Sequence, residues 1–169
     1  MKNNHRQGLK IFVNFALSMF FSMVLTILPL PHSLLWFHPS WILMALVFWL
    51  VFFPSYVNLF VCWTIGLLTD ILTGTLMGQN AFLFVIIGYI LLGFLNRFIY
   101  FSLWRQCLTW VLLSFVVMFF TYCINAFTGN TTFHIVYLSE FVLNPLIWPV
   151  MLSVLLHFYR PLINNNQYK

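Results

Sequence analysis

The chain has 169 residues, of which 63% are hydrophobic, 21% are aromatic and only 5% are charged. A soluble domain carries about 25% charged residues, so this composition excludes a water-facing globular surface and indicates a surface whose partners are membrane lipids. Seven Lys and Arg residues against two Asp and Glu residues give a net charge of +5. In a membrane protein such charges are expected to set orientation, and no nucleic-acid binding is predicted from them.

Six apolar segments follow one another along the chain and predict an all-α integral membrane protein, a single domain built as a bundle of six transmembrane helices. The predicted spans are residues 11–28, 35–53, 56–73, 81–97, 106–127 and 140–159. At about 20 residues per span, six helices occupy most of the chain and leave only short connectors. Each helix satisfies its own backbone hydrogen bonds, so the bundle needs no core of the soluble kind.

The second span is inferred partly from the positions of the charges. Its apolar run after Ser40 is short, and residues 34–37 extend it on the other side of Pro39. With six spans, all seven Lys and Arg residues fall on one side of the membrane, whereas five spans would divide them. The positive-inside rule therefore favours six spans with both termini in the cytoplasm. Ser40 is the predicted N-cap of the second helix.

The two acidic side chains both lie at or within apolar segments. Asp70 falls in the outer half of the third span and Glu140 at the outer entrance of the sixth, so together they form a candidate intramembrane polar site. An ionisable group in a bilayer costs roughly 3 kcal/mol or more unless it faces protein or water. Two interpretations remain open: a hydrogen-bonded packing residue, for which Asn would replace Asp70 adequately, or a group that serves a ligand, a lipid or a proton.

The expected partners of Asp70 follow from the predicted topology. No Lys or Arg shares its half of the membrane, which leaves hydroxyls, amides, backbone groups, water, another subunit or a histidine. The histidines predicted on that side are His32, His38 and His134.

Small and polar residues recur every four positions along the third segment, at Asn58, Cys62, Gly66, Asp70, Gly74 and Gly78. Residues four apart lie near one face of a helix, and small side chains there allow a neighbouring backbone to approach closely. Similar stripes occur in the first and sixth segments, at Asn14, Ser18, Ser22, Thr26, Pro145, Pro149, Ser153 and His157. We expect these faces to avoid lipid.

No catalytic residue, metal site or cofactor is predicted, and the chain is not expected to be an enzyme. The sequence lacks the zinc-hydrolase, nucleophile-elbow and phosphate-loop motifs. The three cysteines have no metal or redox spacing and are interpreted as small packing residues.

Two motifs stand out along the chain: Pro39-Ser40-Trp41 opens the second segment, and the third carries Gly66-x-x-x-Asp70-x-x-x-Gly74-x-x-x-Gly78. Together they resemble the MreD family of rod shape-determining proteins. The basic tail before the first segment, the total length and Asn144…Trp148-Pro149 in the last segment also match. The motif positions that the resemblance carries over, without a known role, are Pro39, Trp41, Gly66, Asp70, Gly74, Gly78, Asn144 and Pro149.

The resemblance implies a non-enzymatic scaffold in the bacterial inner membrane that takes part in cell-wall elongation and rod shape. Its implied partners are an MreC-type protein, the actin-like MreB filament, the RodA glycosyltransferase and a penicillin-binding transpeptidase. Such bundles also resemble the substrate-binding subunits of vitamin transporters. The alternative function is therefore a transporter-like subunit that binds a small molecule or lipid in a pocket near Asp70 and Glu140.

Overall fold

The chain folds into six α-helices in the computed structural model, which describes residues 2–28, 39–98, 102–128 and 136–167. In chain order the helices are α1 (Lys2–Ile27), α2 (Trp41–Phe52), α3 (Leu59–Thr73), α4 (Gln79–Phe98), α5 (Leu103–Thr128) and α6 (Val136–Gln167). No strand occurs within these ranges. The all-α fold class predicted from the sequence is confirmed, and each apolar segment contains most of one helix.

The helices differ in length in a way that matters for a membrane protein. Among the described residues, three stretches are long and apolar enough to cross a bilayer, namely Gly8–Ile27, Leu103–Ala126 and Phe141–Arg160. Helix α2 has 12 residues and α3 has 15, against the roughly 20 that a span requires. Residues 34–37, predicted to extend the second span, lie outside the described ranges.

Helix α2 lies at the centre of the bundle. Ten consecutive residues, from Ile42 to Val51, are buried, and the helix packs against α1, α4 and α6. Every position of α2 is apolar, which is the pattern of a helix surrounded by protein on all sides. The sequence run without polar positions is thus explained by burial in the bundle.

Trp49 anchors α2 to its neighbours. Its indole Nε1 donates a hydrogen bond of 2.7 Å to the Ser18 hydroxyl on α1. Its ring packs edge-on against Phe15 and Tyr159, with centroid distances of 5.4 and 5.2 Å. Ser18 and Ser22 are buried, so the polar stripe of α1 faces α2 as expected from the sequence.

Helices α3 and α4 form the most extensively packed pair in the bundle. A Cβ atom on Gly66 would lie 2.6 Å from the backbone nitrogen of Ala81 and 2.8 Å from the Asn80 carbonyl oxygen. One turn further along the pair, a Cβ on Gly88 would lie 2.9 Å from the Cys62 Sγ. The two backbones therefore approach to a distance that only small residues allow.

Helix α6 contains three prolines, and α5 compensates for one of them. Pro149 has no N–H, so it cannot donate to the carbonyl of Pro145 one turn earlier. The Cys107 thiol on α5 donates to that carbonyl instead, at 3.4 Å. A polar group from a neighbouring helix is a usual way to satisfy a carbonyl that proline leaves free inside a membrane. Cys107 thus has a bonding role that its packing interpretation did not include.

Replacing Gly66 by alanine is expected to lower the thermal unfolding temperature of the detergent-purified protein. The added methyl group meets backbone atoms of α4, which cannot rotate away, so the α3–α4 pair must separate at a cost of at least about 1 kcal/mol. Gly93→Ala on α4 is the control, because a Cβ there meets nothing within 4 Å. Equal unfolding temperatures for the two variants would contradict the close approach.

Candidate functional site

The Asp70 carboxylate lies at the junction between α3 and α4, and its residue is only 1% exposed. Its Oδ1 accepts hydrogen bonds from the Thr75 hydroxyl at 2.9 Å and the Asn80 backbone N–H at 2.8 Å. Its Oδ2 accepts from the backbone N–H groups of Gly78 at 2.9 Å and Ala81 at 3.4 Å. All four partners donate, which is the pattern that an ionised carboxylate accepts.

These contacts make Asp70 the cap of α4. The first N–H groups of a helix have no acceptor within the helix, and the positive end of the helix dipole favours a negative charge beside them. Gly78 occupies the N-cap position, since its carbonyl accepts the first intrahelical bond from Phe82 at 2.9 Å, but it has no side chain. Asp70 supplies the missing acceptor from the preceding helix. Its partners are thus backbone groups and a hydroxyl, two of the kinds expected from the sequence.

Gly74 and Gly78 shape the turn between α3 and α4. Their φ angles are +65° and +98°, a region that residues with a Cβ rarely adopt. A Cβ at either position would meet nothing within 4 Å. The expectation that these two glycines continue the close-approach face of α3 is therefore wrong. The helix ends at Thr73, so the four-residue spacing beyond Asp70 belongs to the turn, and only Gly66 among the three motif glycines admits a neighbouring backbone.

Thr75 and Asn80 extend the network around the carboxylate. The Asn80 side-chain amide donates to the Thr75 hydroxyl at 3.1 Å, while that hydroxyl donates onward to Asp70. Asn58, at the other end of α3, uses its side chain to cap its own helix by accepting from the Val61 N–H at 3.1 Å. The polar residues of the α3 stripe thus serve helix ends more than helix faces.

The start of α2 is held by Asn144 of α6. Its side-chain oxygen accepts from the Ser40 backbone N–H at 3.1 Å, and its amide nitrogen lies 3.4 Å from the Ser40 hydroxyl and 3.5 Å from the Ser114 hydroxyl. Ser40 occupies the N-cap position, but its side chain makes no capping hydrogen bond. Asn144 is 2% exposed and joins α2, α5 and α6 at one point. Pro39 is buried directly before this contact, and Trp41 begins the helix.

Glu140 lies on α6, and its side chain is outside the described residues, as are His32, His38 and His134. The pairing of Asp70 with Glu140 in one polar site therefore stays a prediction. Within the described ranges, no group of three or more His, Cys, Asp or Glu side chains is arranged to hold a metal ion.

A cavity of about 450 Å³ opens at the end of the bundle away from both chain termini. It lies between the last turns of α1 and α3 and the first turns of α2 and α4, with α5 at one side, and we name it the end cavity. Pro39 and Trp41 line it, whereas Asp70 does not. Its apolar wall includes Leu83, Phe84 and Val117. Hydroxyl and amide side chains from five parts of the chain also line it, including Thr26, Ser40, Thr69, Thr73, Gln79 and Thr121.

Sequence reasoning did not find Gln79 or Thr121. Gln79 follows the four-residue motif and looks like a loop residue, and Thr121 is one hydroxyl within a long apolar segment. Neither position belongs to a motif with fixed spacing. Only the packing of α4 against α5 brings them to a common cavity.

Asp70→Asn is expected to destabilise the protein by about 2 kcal/mol, because the introduced NH₂ group faces backbone donors and leaves them without an acceptor. This reverses the sequence-based expectation that Asn is an adequate replacement. Asp70→Leu removes all four acceptor contacts and is expected to cost more. Thermal unfolding in detergent measures both effects.

Thr75→Val is the matched control for that series, since it removes a single donor and leaves the backbone of α4 capped. Its loss is expected to be smaller than that of Asp70→Asn. An Asp70→Asn protein as stable as the wild type would show that the carboxylate is not needed as a cap.

Comparisons with known proteins agree with the resemblance drawn from the motifs. A family model described as rod shape-determining protein MreD matches residues 7–158. The rod shape-determining protein MreD of Haemophilus influenzae is 25% identical to the chain over 128 residues, which cover 76% of this chain and 79% of that relative. No solved structure matches the chain. Since the family model extends from α1 into α6, the chain belongs to the MreD family of rod shape-determining proteins.

Proposed function

We propose that the protein is a non-enzymatic scaffold of the bacterial cell-wall elongation complex, embedded in the inner membrane with six spans. Membership of the MreD family supports a role in rod shape determination. Three helices long and apolar enough to cross a bilayer support a membrane location. The scaffold acts by helix–helix contact with an MreC-type protein and other membrane partners in a complex that includes MreB, RodA and a penicillin-binding transpeptidase.

The arrangement of the charges supports six spans with both termini in the cytoplasm. Lys2, Arg6 and Lys10 lie near the start of α1, Arg97 near the end of α4, and Arg105 near the start of α5. Arg160 and Lys169 follow in the last part of the chain. If the helices alternate in direction, all these positions fall at one end of the bundle, opposite the end cavity. The short helix α2 is accommodated because it is enclosed by its neighbours rather than by lipid.

Reporter fusions test this topology. A cytoplasm-active reporter is expected to be active when fused to either terminus. At Gly129 the reporter expected to be active is instead an export-dependent one, because this position lies in a predicted outer loop without Lys or Arg. A C-terminal fusion active only outside the cytoplasm would remove the six-span arrangement.

The outward face of α6 supports a protein partner. Val150, Val154 and Phe158 are exposed on it, and so are Ser153 and His157. Ser153 donates to the Pro149 carbonyl of its own helix at 2.8 Å and is thereby satisfied in an apolar setting. His157 is an ionisable side chain on an outward face, where lipid contact is unfavourable. This is the observation that carries the scaffold proposal, since polar residues on outward faces are typical of contacts between membrane helices.

Photocrosslinking in cells tests the contact. A photoreactive amino acid at Ser153 is expected to crosslink to an MreC-type single-span protein. Leu17 on α1 is the matched control, because it is 60% exposed and lies seven residues from Lys10, as Ser153 lies seven residues from Arg160.

Depleting the protein is expected to turn rods into spheres, and the crosslinking variants must restore rods to be interpretable. A rod-restoring Ser153 variant that gives no crosslink to an elongation protein would contradict the proposal.

A further inference from the structure

The end cavity contains buried polar side chains that the protein itself leaves without partners. Gln79 is 8% exposed and Thr121 is 3% exposed, and both line the cavity. Neither side chain forms a hydrogen bond with any residue in the described part of the chain. In the described part of the chain, Trp110 Nε1 is the one side-chain polar atom that is both sealed from solvent and without a partner. The polar atoms of Gln79 and Thr121 are thus open to the cavity, where they can bond to a molecule that enters it.

The other hydroxyls of the cavity behave differently. Thr26, Thr69 and Thr73 each donate to a carbonyl one turn earlier in their own helix, at 2.8 to 2.9 Å. Their oxygens retain lone pairs that accept hydrogen bonds from a molecule in the cavity. Gln79 offers an amide that both donates and accepts, while Thr121 offers a free hydroxyl. The cavity therefore presents donors and acceptors together, beside the apolar wall formed by Leu83 and Phe84.

The charge of the lining restricts the occupant. No Lys, Arg, His, Asp or Glu lines the cavity among the described residues. The nearby Asp70 carboxylate is directed to the N–H groups of α4 and has all its acceptor sites occupied. A charged group in this cavity would lose hydration without gaining a counter-charge from the described lining. The lining thus favours an uncharged occupant.

We propose that the end cavity is a binding site for a neutral, hydroxyl-rich group of the kind found on a sugar, held by Gln79 and Thr121. Its volume of about 450 Å³ falls within the usual size range of small-molecule pockets. Hydroxyl groups pair with both the donors and the acceptors of the lining, while the carbon frame of such a group contacts the apolar wall. The same chemistry occurs in a soluble sugar and in the headgroup of a neutral glycolipid, and a site at the end of a membrane bundle is open to either source. The inference does not depend on the scaffold function.

The binding experiment uses the full-length protein purified in an amine-oxide detergent, because sugar-based detergents would compete for the cavity. Methyl glucoside probes the soluble source, and lipid nanodiscs with or without monoglucosyl diacylglycerol probe the lipid source. Glucose 6-phosphate and phosphatidylglycerol are the charged controls. A molecule that binds only the folded state raises its unfolding temperature, so thermal shift measures binding, and equilibrium dialysis with labelled methyl glucoside gives its Kd.

At least one neutral probe is expected to raise the unfolding temperature, and the charged controls are not. Stabilisation by the soluble probe identifies a free sugar as the source, and stabilisation by the glycolipid alone identifies a headgroup. Stabilisation by neither neutral probe, which would mean that water alone fills the cavity, overturns the proposal. Equal stabilisation by the charged probes also overturns it.

Variants locate the site. Gln79→Leu and Thr121→Val are each expected to weaken binding of the responding probe by about tenfold, the usual effect of losing a hydrogen bond to a ligand. Both remove a polar group that has no partner in the unliganded protein, so neither is expected to lower its unfolding temperature. Thr109→Val on α5 is the matched control, because its hydroxyl bonds to the Arg105 carbonyl of its own helix and does not line the cavity. Unchanged binding in both cavity variants would overturn the assignment.

Discussion

The start of α4 needs an acceptor that the turn before it does not provide. Gly78 stands where Ser, Thr, Asp or Asn usually caps a helix, and with φ at +98° the position suits glycine. The N–H groups of the first turn must therefore bond elsewhere, because each one left unpaired in a buried place costs about 1–3 kcal/mol. Asp70 supplies the acceptor from one turn before the end of α3. This explains how an acidic residue is accommodated in a chain with so few charges and with no basic partner among the described residues.

The capping contact also fixes how α3 and α4 pack. For the carboxylate to reach the start of α4, the two helices must come close near Ala81, and Gly66 leaves the space for that approach. The chain must then leave α3 at Gly74 and enter α4 at Gly78 with left-handed backbone angles. The four equally spaced residues thus all serve the junction of α3 with α4, through three different properties. Gly66 has no side chain, Asp70 supplies an acceptor, and the two glycines of the turn supply backbone freedom.

The sequence predicted what depends on local composition. It located the six apolar segments, the inward polar stripe of α1 at Ser18 and Ser22, and the importance of the Asp70 region. It could not distinguish a stripe on a helix from a helix followed by a turn, because both give small residues every four positions. Nor could it find the contact of Asn144 with Ser40, which are 104 residues apart, or the cavity position of Gln79 and Thr121. Those depend on which helices become neighbours, and that is decided by the burial of α2.

The short central helix also accounts for the cavity. Twelve residues at 1.5 Å per residue give α2 a length of about 18 Å, well below the roughly 30 Å of a bilayer core. Thr26 and Ile27 of α1 and Val117 and Thr121 of α5 line the cavity beside the first residues of α2. Asn144 holds the start of α2 at this depth, and Asp70 holds the start of α4 beside it. At these two helix starts, the Ser40 N–H bonds to α6, and the N–H groups of Gly78, Asn80 and Ala81 bond to α3. The first turns of α2 and α4 also line the end cavity, so the capping contacts that hold these two helix starts fix part of its wall.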